Sequence, residues 1–215
     1  MVDKGRAGLT RRRVIETALR LLNEVGLDGL TVRRLAAELN VQNPALYWHF
    51  RNKQELLDGM AEAITLAAGM GPPAEGESWE DWLTDRARRR RHSLLAYRDA
   101  ARIIANARLG PAATRVVDEE LAAMIGYGFT PVLALRTGMA FVHYVNGFVL
   151  QEQTARQGDA GSPAEQLAAL AEQLDGGTSA PLIVALLEGG STVGDQAFEH
   201  GLRMLVDGAR AALAD

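Results

Sequence analysis

No cysteine occurs in the 215 residues, which removes disulfides, thiolate metal centres and thiol nucleophiles at once. Lysine is almost missing too: two lysines stand against twenty-one arginines, an imbalance that hints at a GC-rich genome and says nothing of function. With 47 % hydrophobic and 23 % charged residues and no long uninterrupted apolar run, the chain is expected neither to be disordered nor to cross a membrane. A signal-peptide pattern is lacking, since Arg11, Arg12 and Arg13 lead into an amphipathic stretch that keeps its charges; the cytoplasm is the expected compartment. GxSxG, HExxH, Walker and GxGxxG signatures are absent, and His49, His92, His143 and His200 lie far apart, so no enzyme is expected. Strand-like alternation and internal repeats are lacking as well, which leaves an all-α fold.

What is present begins with an uneven charge. The net charge of −4 divides into ten Lys and Arg against five Asp and Glu over residues 1–53, and thirteen against twenty-two over the rest. A basic head can neutralise phosphates and release their counterions, while an acidic body is repelled from them.

The head carries the most specific motif. In DGLTVRRLAAELNVQNPALYWHFRNK, residues 28–53, Thr31 is placed to cap a short helix, with Leu30 and Leu35 stapled across its start. Leu35, Ala36 and Leu39 face inward, Asn40 and Val41 make a turn, and a second short helix follows with Gln42, Asn43, Pro44, Ala45, Tyr47, Trp48 and His49 on it. Consecutive residues on a helix point about 100° apart, so Tyr47, Trp48, His49 and Phe50 cannot all be buried on one face. Amides and aromatics offered outward suit base edges and phosphates, and the pattern is that of a DNA-reading helix-turn-helix. For Trp48 and Phe50, packing is an equal reading.

Around the motif, helices are expected at Thr10 to Val25, ended by Gly26, and from Lys53 to Leu66. The break GMGPPAEGES, residues 69–78, separates head and body, and the domains are placed at 1–53 and 54–215. Later helices are expected from Ser78 to Tyr97, Asp99 to Leu109, and from Pro111. Others are expected from Pro131 to Arg156, after a Ser162 capping box, from Ala180 to Leu187, and from Asp195 to Ala214. LALRTGMAFVHYVNGFVL, residues 133–150, is apolar enough to be buried on most sides.

The run from Val14 to Leu57 resembles the DNA-binding domain of the TetR family of one-component repressors. EGESWEDWL, AYRDAA, GYGFTP and GFVLQEQ are similar to the ligand-binding and dimerisation part of its tetracycline repressor class. The resemblance implies a homodimer through a four-helix bundle, two reader heads on a twofold axis and a palindromic double-stranded operator. It makes Arg33 a guanine-contacting arginine, and Gln42, Asn43, Pro44 and Ala45 base readers. Tyr47, Trp48, His49, Lys53 and Thr31 become grips on the sugar-phosphate backbone.

For the effector, the resemblance points to Arg90, Ile104, Arg108, Glu120, Leu135, His143, Asn146 and Gln151 as lining a pocket for a small organic molecule. His143 is equally read as a core histidine. Relatives that hold a drug chelated to a divalent ion use a histidine and a glutamate there. Ile104 and Gln151 fall at those positions, and neither is a ligand for a hard dication. The expectation is therefore a ligand-responsive repressor, with no cofactor or metal, whose inducer is not magnesium-tetracycline. The alternatives are a regulator controlled by a protein partner and a magnesium-tetracycline repressor.

Overall fold

Caps written in the sequence set the helix starts. The computed structural model describes residues 9–157, 163–174 and 177–214, and among these the regular structure is helical throughout. Helix α1 (Arg11–Gly29) starts where the Thr10 hydroxyl accepts from the Arg13 N–H at 3.2 Å. Gly26 has φ 70°, so the helix kinks there; a Cβ at this position would meet the Asp99 carboxylate at 3.0 Å. Helix α2 (Val32–Glu38) is capped by Thr31, which accepts from the Arg34 N–H at 3.1 Å. Asn40, at φ 54°, turns the chain into α3 (Asn43–Tyr47), and asparagine tolerates that left-handed conformation better than most residues. Helix α4 (Lys53–Ala67) opens on Asn52, whose side chain accepts from the Glu55 N–H, while Glu55 accepts in turn from the Arg51 N–H.

The rest is built on two long helices. They and their neighbours are α5 (Trp79–Leu95), α6 (Ala100–Ala105), α7 (Pro111–Gly126), α8 (Pro131–Gln157), α9 (Pro163–Glu172), α10 (Pro181–Leu187) and α11 (Asp195–Ala214). Helix α8 is the hub, packed against α5, α6, α7 and α11. The core runs without interruption from Val14, Leu22, Leu35 and Met60 in the head to Trp82, Phe141, Val145 and Phe198 in the body. Each such side chain contributes about 1.5–3 kcal/mol by leaving water. Tyr144 and Phe198 stack between α8 and α11, and the Tyr144 hydroxyl donates to the Phe198 carbonyl at 2.9 Å.

Two expectations change. The helix expected to reach Leu109 ends at Ala105, because the turn after it finds other partners. Asn106 donates from its side chain to the Arg102 carbonyl, its own carbonyl accepts from Gln54, and the Arg108 N–H donates to Asp58. Helix α8 is also wetter than its composition suggests: Val132, Leu135 and Met139 are exposed, as is Met204 on α11. The Ser162 cap falls outside the described residues. Among those described, no helix is long and apolar enough to cross a membrane.

Candidate DNA interface and ligand cavity

The head sorts its side chains cleanly. Leu35, Ala36, Leu46 and Phe50 are buried, and the Arg11 guanidinium lies over the Phe50 ring at 4.8 Å. Facing the other way, Gln42, Asn43, Pro44 and Tyr47 are exposed and Ala45 and His49 half-buried. Trp48 is 88 % exposed, which decides it against a packing role, whereas Phe50 at 5 % takes that role. Thr31, Arg33 and Lys53 are exposed beside them, Lys53 on the first turn of α4 where unbonded N–H groups favour an anion.

Charges in the head divide the same way. Arg20 is tied to Glu24 and Glu38, Arg12 to Glu16 and Arg11 to Glu55. Among the described residues, the side chains of Arg33, Arg34, Arg51 and Lys53 make no ion pair. Arg34 and Arg51 were not singled out by the sequence: each has a glutamate four positions on, Glu38 and Glu55, and only the fold shows that neither side chain is tied to it.

The body holds a cavity of about 310 Å³. Helix α4 supplies Ala61, Glu62 and Thr65, α5 supplies Arg86 and Arg90, and α8 supplies Met139, Val142, His143 and Asn146; Ile104 and Arg108 close it from α6 and the turn beyond. Five of the residues expected at the effector site thus come together: Arg90, Ile104, Arg108, His143 and Asn146. Glu120 and Leu135 line a smaller neighbouring hollow instead. Glu120 is engaged there, accepting from Arg86 at 2.7 and 2.5 Å and from the Gly71 N–H at 3.0 Å.

Gln151 is a correction. It is exposed and lines neither hollow, because five residues beyond Asn146 the helix has turned about 140° and risen about 7.5 Å. Its neighbour Glu152 is buried and held by Arg91 at 2.5 and 2.9 Å.

The arginine run, residues 88–91 with Arg86 before it, is three anchors, one exposed side chain and an exception. Arg86 pairs with Glu120, Arg88 with Glu199 and Asp85, and Arg91 with Glu152 and Asp195, while Arg89 is exposed. Arg90 is buried, and its Nε donates to Asn146 Oδ1 at 3.2 Å. Burial, reinforced by the charge of Arg86, pushes its guanidinium down to about 10, so it is still cationic at neutral pH.

The cavity is wired to the head. Asp99, in the left-handed conformation at φ 59°, caps nothing on its own helix; its Oδ2 accepts from the Leu27 N–H at 2.9 Å, across from the Gly26 kink. Asn23 donates to the Ala96 carbonyl and accepts from the Arg98 N–H, and Arg102 grips Asp28 through two bonds of 3.1 Å. Gln54 and Asp58 on α4 bond the turn after α6. The direct ties to α1 join residues more than seventy positions apart, and no local sequence signal announces them.

A family model described as "Bacterial regulatory proteins, tetR family" matches residues 14–60, and one described as "Tetracyclin repressor-like, C-terminal domain" matches residues 72–213. The tetracycline repressor protein class A from transposon 1721 of Escherichia coli is 41 % identical over 199 residues, covering 91 % of this chain and 88 % of that one. The crystal structure of ActR, a TetR family protein of Streptomyces coelicolor, in complex with actinorhodin has a TM-score of 0.84 at 30 % identity and covers 97 % of this chain and all of that one. A class A TetR in complex with 5a,6-anhydrotetracycline and magnesium gives 0.71 at 36 % identity, covering 94 % of this chain and 99 % of that one.

Proposed function

The chain belongs to the TetR family of bacterial regulatory proteins, ligand-responsive transcriptional repressors that bind operator DNA as dimers, and we propose that it releases a palindromic operator on binding a small organic molecule other than magnesium-tetracycline. Such a repressor works where its operator lies, in the bacterial cytoplasm. The reader is residues 1–53 and the ligand and dimerisation unit residues 54–215. Dimerisation uses α8 and α11, where the exposed Met204 would otherwise stay wet.

The observation that carries the reading is the continuity from cavity to reader. Ile104 and Arg108 face the cavity, and the same segment is hydrogen-bonded to α1 through Asp99 and to α4 through Asp58. A ligand that fits one position of α6 better than another shifts the two heads between spacings, and weakens operator binding by its differential affinity for the two states. Ile104 offers a metal nothing but hydrocarbon, and Arg90 sets a positive charge against a cationic chelate. Both weigh against a magnesium-drug complex.

The test starts from an operator selected from random duplexes and a fluorescence-anisotropy titration. Arg33→Ala and Asn43→Ala are each expected to cost about 1–3 kcal/mol of specific binding, some tenfold or more in affinity. Unchanged binding by both variants would remove the reader assignment.

A further inference from the structure

Arg90 stands apart from the other arginines of α5. Its side chain is buried at 7 % exposure, and among the described residues its single hydrogen bond runs to a neutral amide oxygen, with no carboxylate in ion-pairing reach. No fully buried side-chain nitrogen in the described residues lacks a partner, so the unbonded terminal nitrogens of this guanidinium open onto the cavity it lines. An unpaired buried charge is unfavourable unless something answers it.

The surrounding groups do not answer it. On α7, Glu120 is taken by Arg86 and the Gly71 N–H. On α4, Glu62 sits against the start of α7, accepting from the Ala113 N–H at 3.5 Å. Arg108 and His143 add no negative charge, and Ile104, Val117, Met139 and Val142 make the remaining wall apolar.

We propose that Arg90 is the anion-recognition residue of the cavity, and that the effector is an organic acid: an apolar ring system bearing one acidic oxygen group that accepts a forked hydrogen bond from this guanidinium. The inference rests on the cavity being the effector site. Arginine suits the task because its planar fork meets both oxygens of a carboxylate at once and is desolvated more readily than an ammonium. A cavity of about 310 Å³ takes two or three fused rings.

The test uses the full chain with 2-naphthoate and anthracene-2-carboxylate, each beside its neutral carboxamide, by calorimetry and thermal melting. At least one acid is expected to bind tighter than its amide. Arg90→Gln should lower the acid's affinity about 10- to 100-fold, the range for a hydrogen bond to a charged group, and leave the amide's unchanged. The unliganded variant should melt no lower than the natural chain, since it loses an unanswered charge; a purely structural arginine would give a lower melting point and weaken acid and amide alike. Equal binding of acid and amide, no binding of either acid, or an unaltered Arg90→Gln would overturn the proposal. Operator release measured with the same probes separates the two readings. Release by amides as well as acids removes the anion site but keeps the regulator, whereas acid binding without release keeps Arg90 and removes the regulator's link to this cavity.

Discussion

At the scale of single residues, burial decides what a charge is worth. Arg86 and Glu120 are paired with their side chains 9 % and 7 % exposed, so removing one leaves the other in a medium that cannot solvate it. Glu120→Ala is expected to destabilise the fold by about 3–5 kcal/mol in urea denaturation. Arg88 and Glu199 show the same geometry with side chains 50 % and 33 % exposed, and a surface pair of that kind contributes about 0–1 kcal/mol. A loss below about 1 kcal/mol in Glu120→Ala would mean that Arg86 finds water or another partner. The sequence offered Glu120 as a ligand contact; only the fold shows it taken by Arg86, because the two lie 34 positions apart.

At the scale of elements, much was legible, and the exceptions share a cause. Thr31 caps the helix it was expected to cap, Thr10 and Ser78 cap helices expected to start at them, Pro111 and Pro131 open theirs, and Gly26 takes a positive φ. Those signals are local, acting within one turn of the chain. The early end of α6, the engagement of Glu120 and the placing of Gln151 outside the cavity depend on contacts between distant segments, which periodicity does not record. Asp99 is the case with consequence. Its left-handed backbone and buried carboxylate join α6 to the kink of α1 and to Arg102. Asp99→Ala is expected to cost about 1–3 kcal/mol, from a half-buried N–H left unbonded and the loss of a side chain that tolerates the left-handed backbone. It should also blunt ligand-driven release while operator affinity without ligand persists. Asp99→Asn, which keeps an acceptor and tolerates the conformation, should lose less; the comparison is read by urea denaturation beside operator anisotropy.

For the whole molecule, charge and wet apolar surface have complementary meanings. The basic head turns unpaired Arg33, Arg34, Arg51 and Lys53 outward around Trp48, while α8 and α11 of the acidic body are the faces proposed to meet a second copy. Between them, the cavity reaches the head through hydrogen bonds on two helices rather than one. The family fixes the general activity, and the proposed departure from the tetracycline class rests on what lines that cavity, Ile104 and Arg90. The direct measurement is anisotropy of the operator-bound dimer, titrated with tetracycline with and without magnesium and, in parallel, with the aromatic acids. The account predicts no magnesium-dependent release by tetracycline and saturable release by an acid, whereas release by tetracycline only when magnesium is present, with the acids inert, would contradict it.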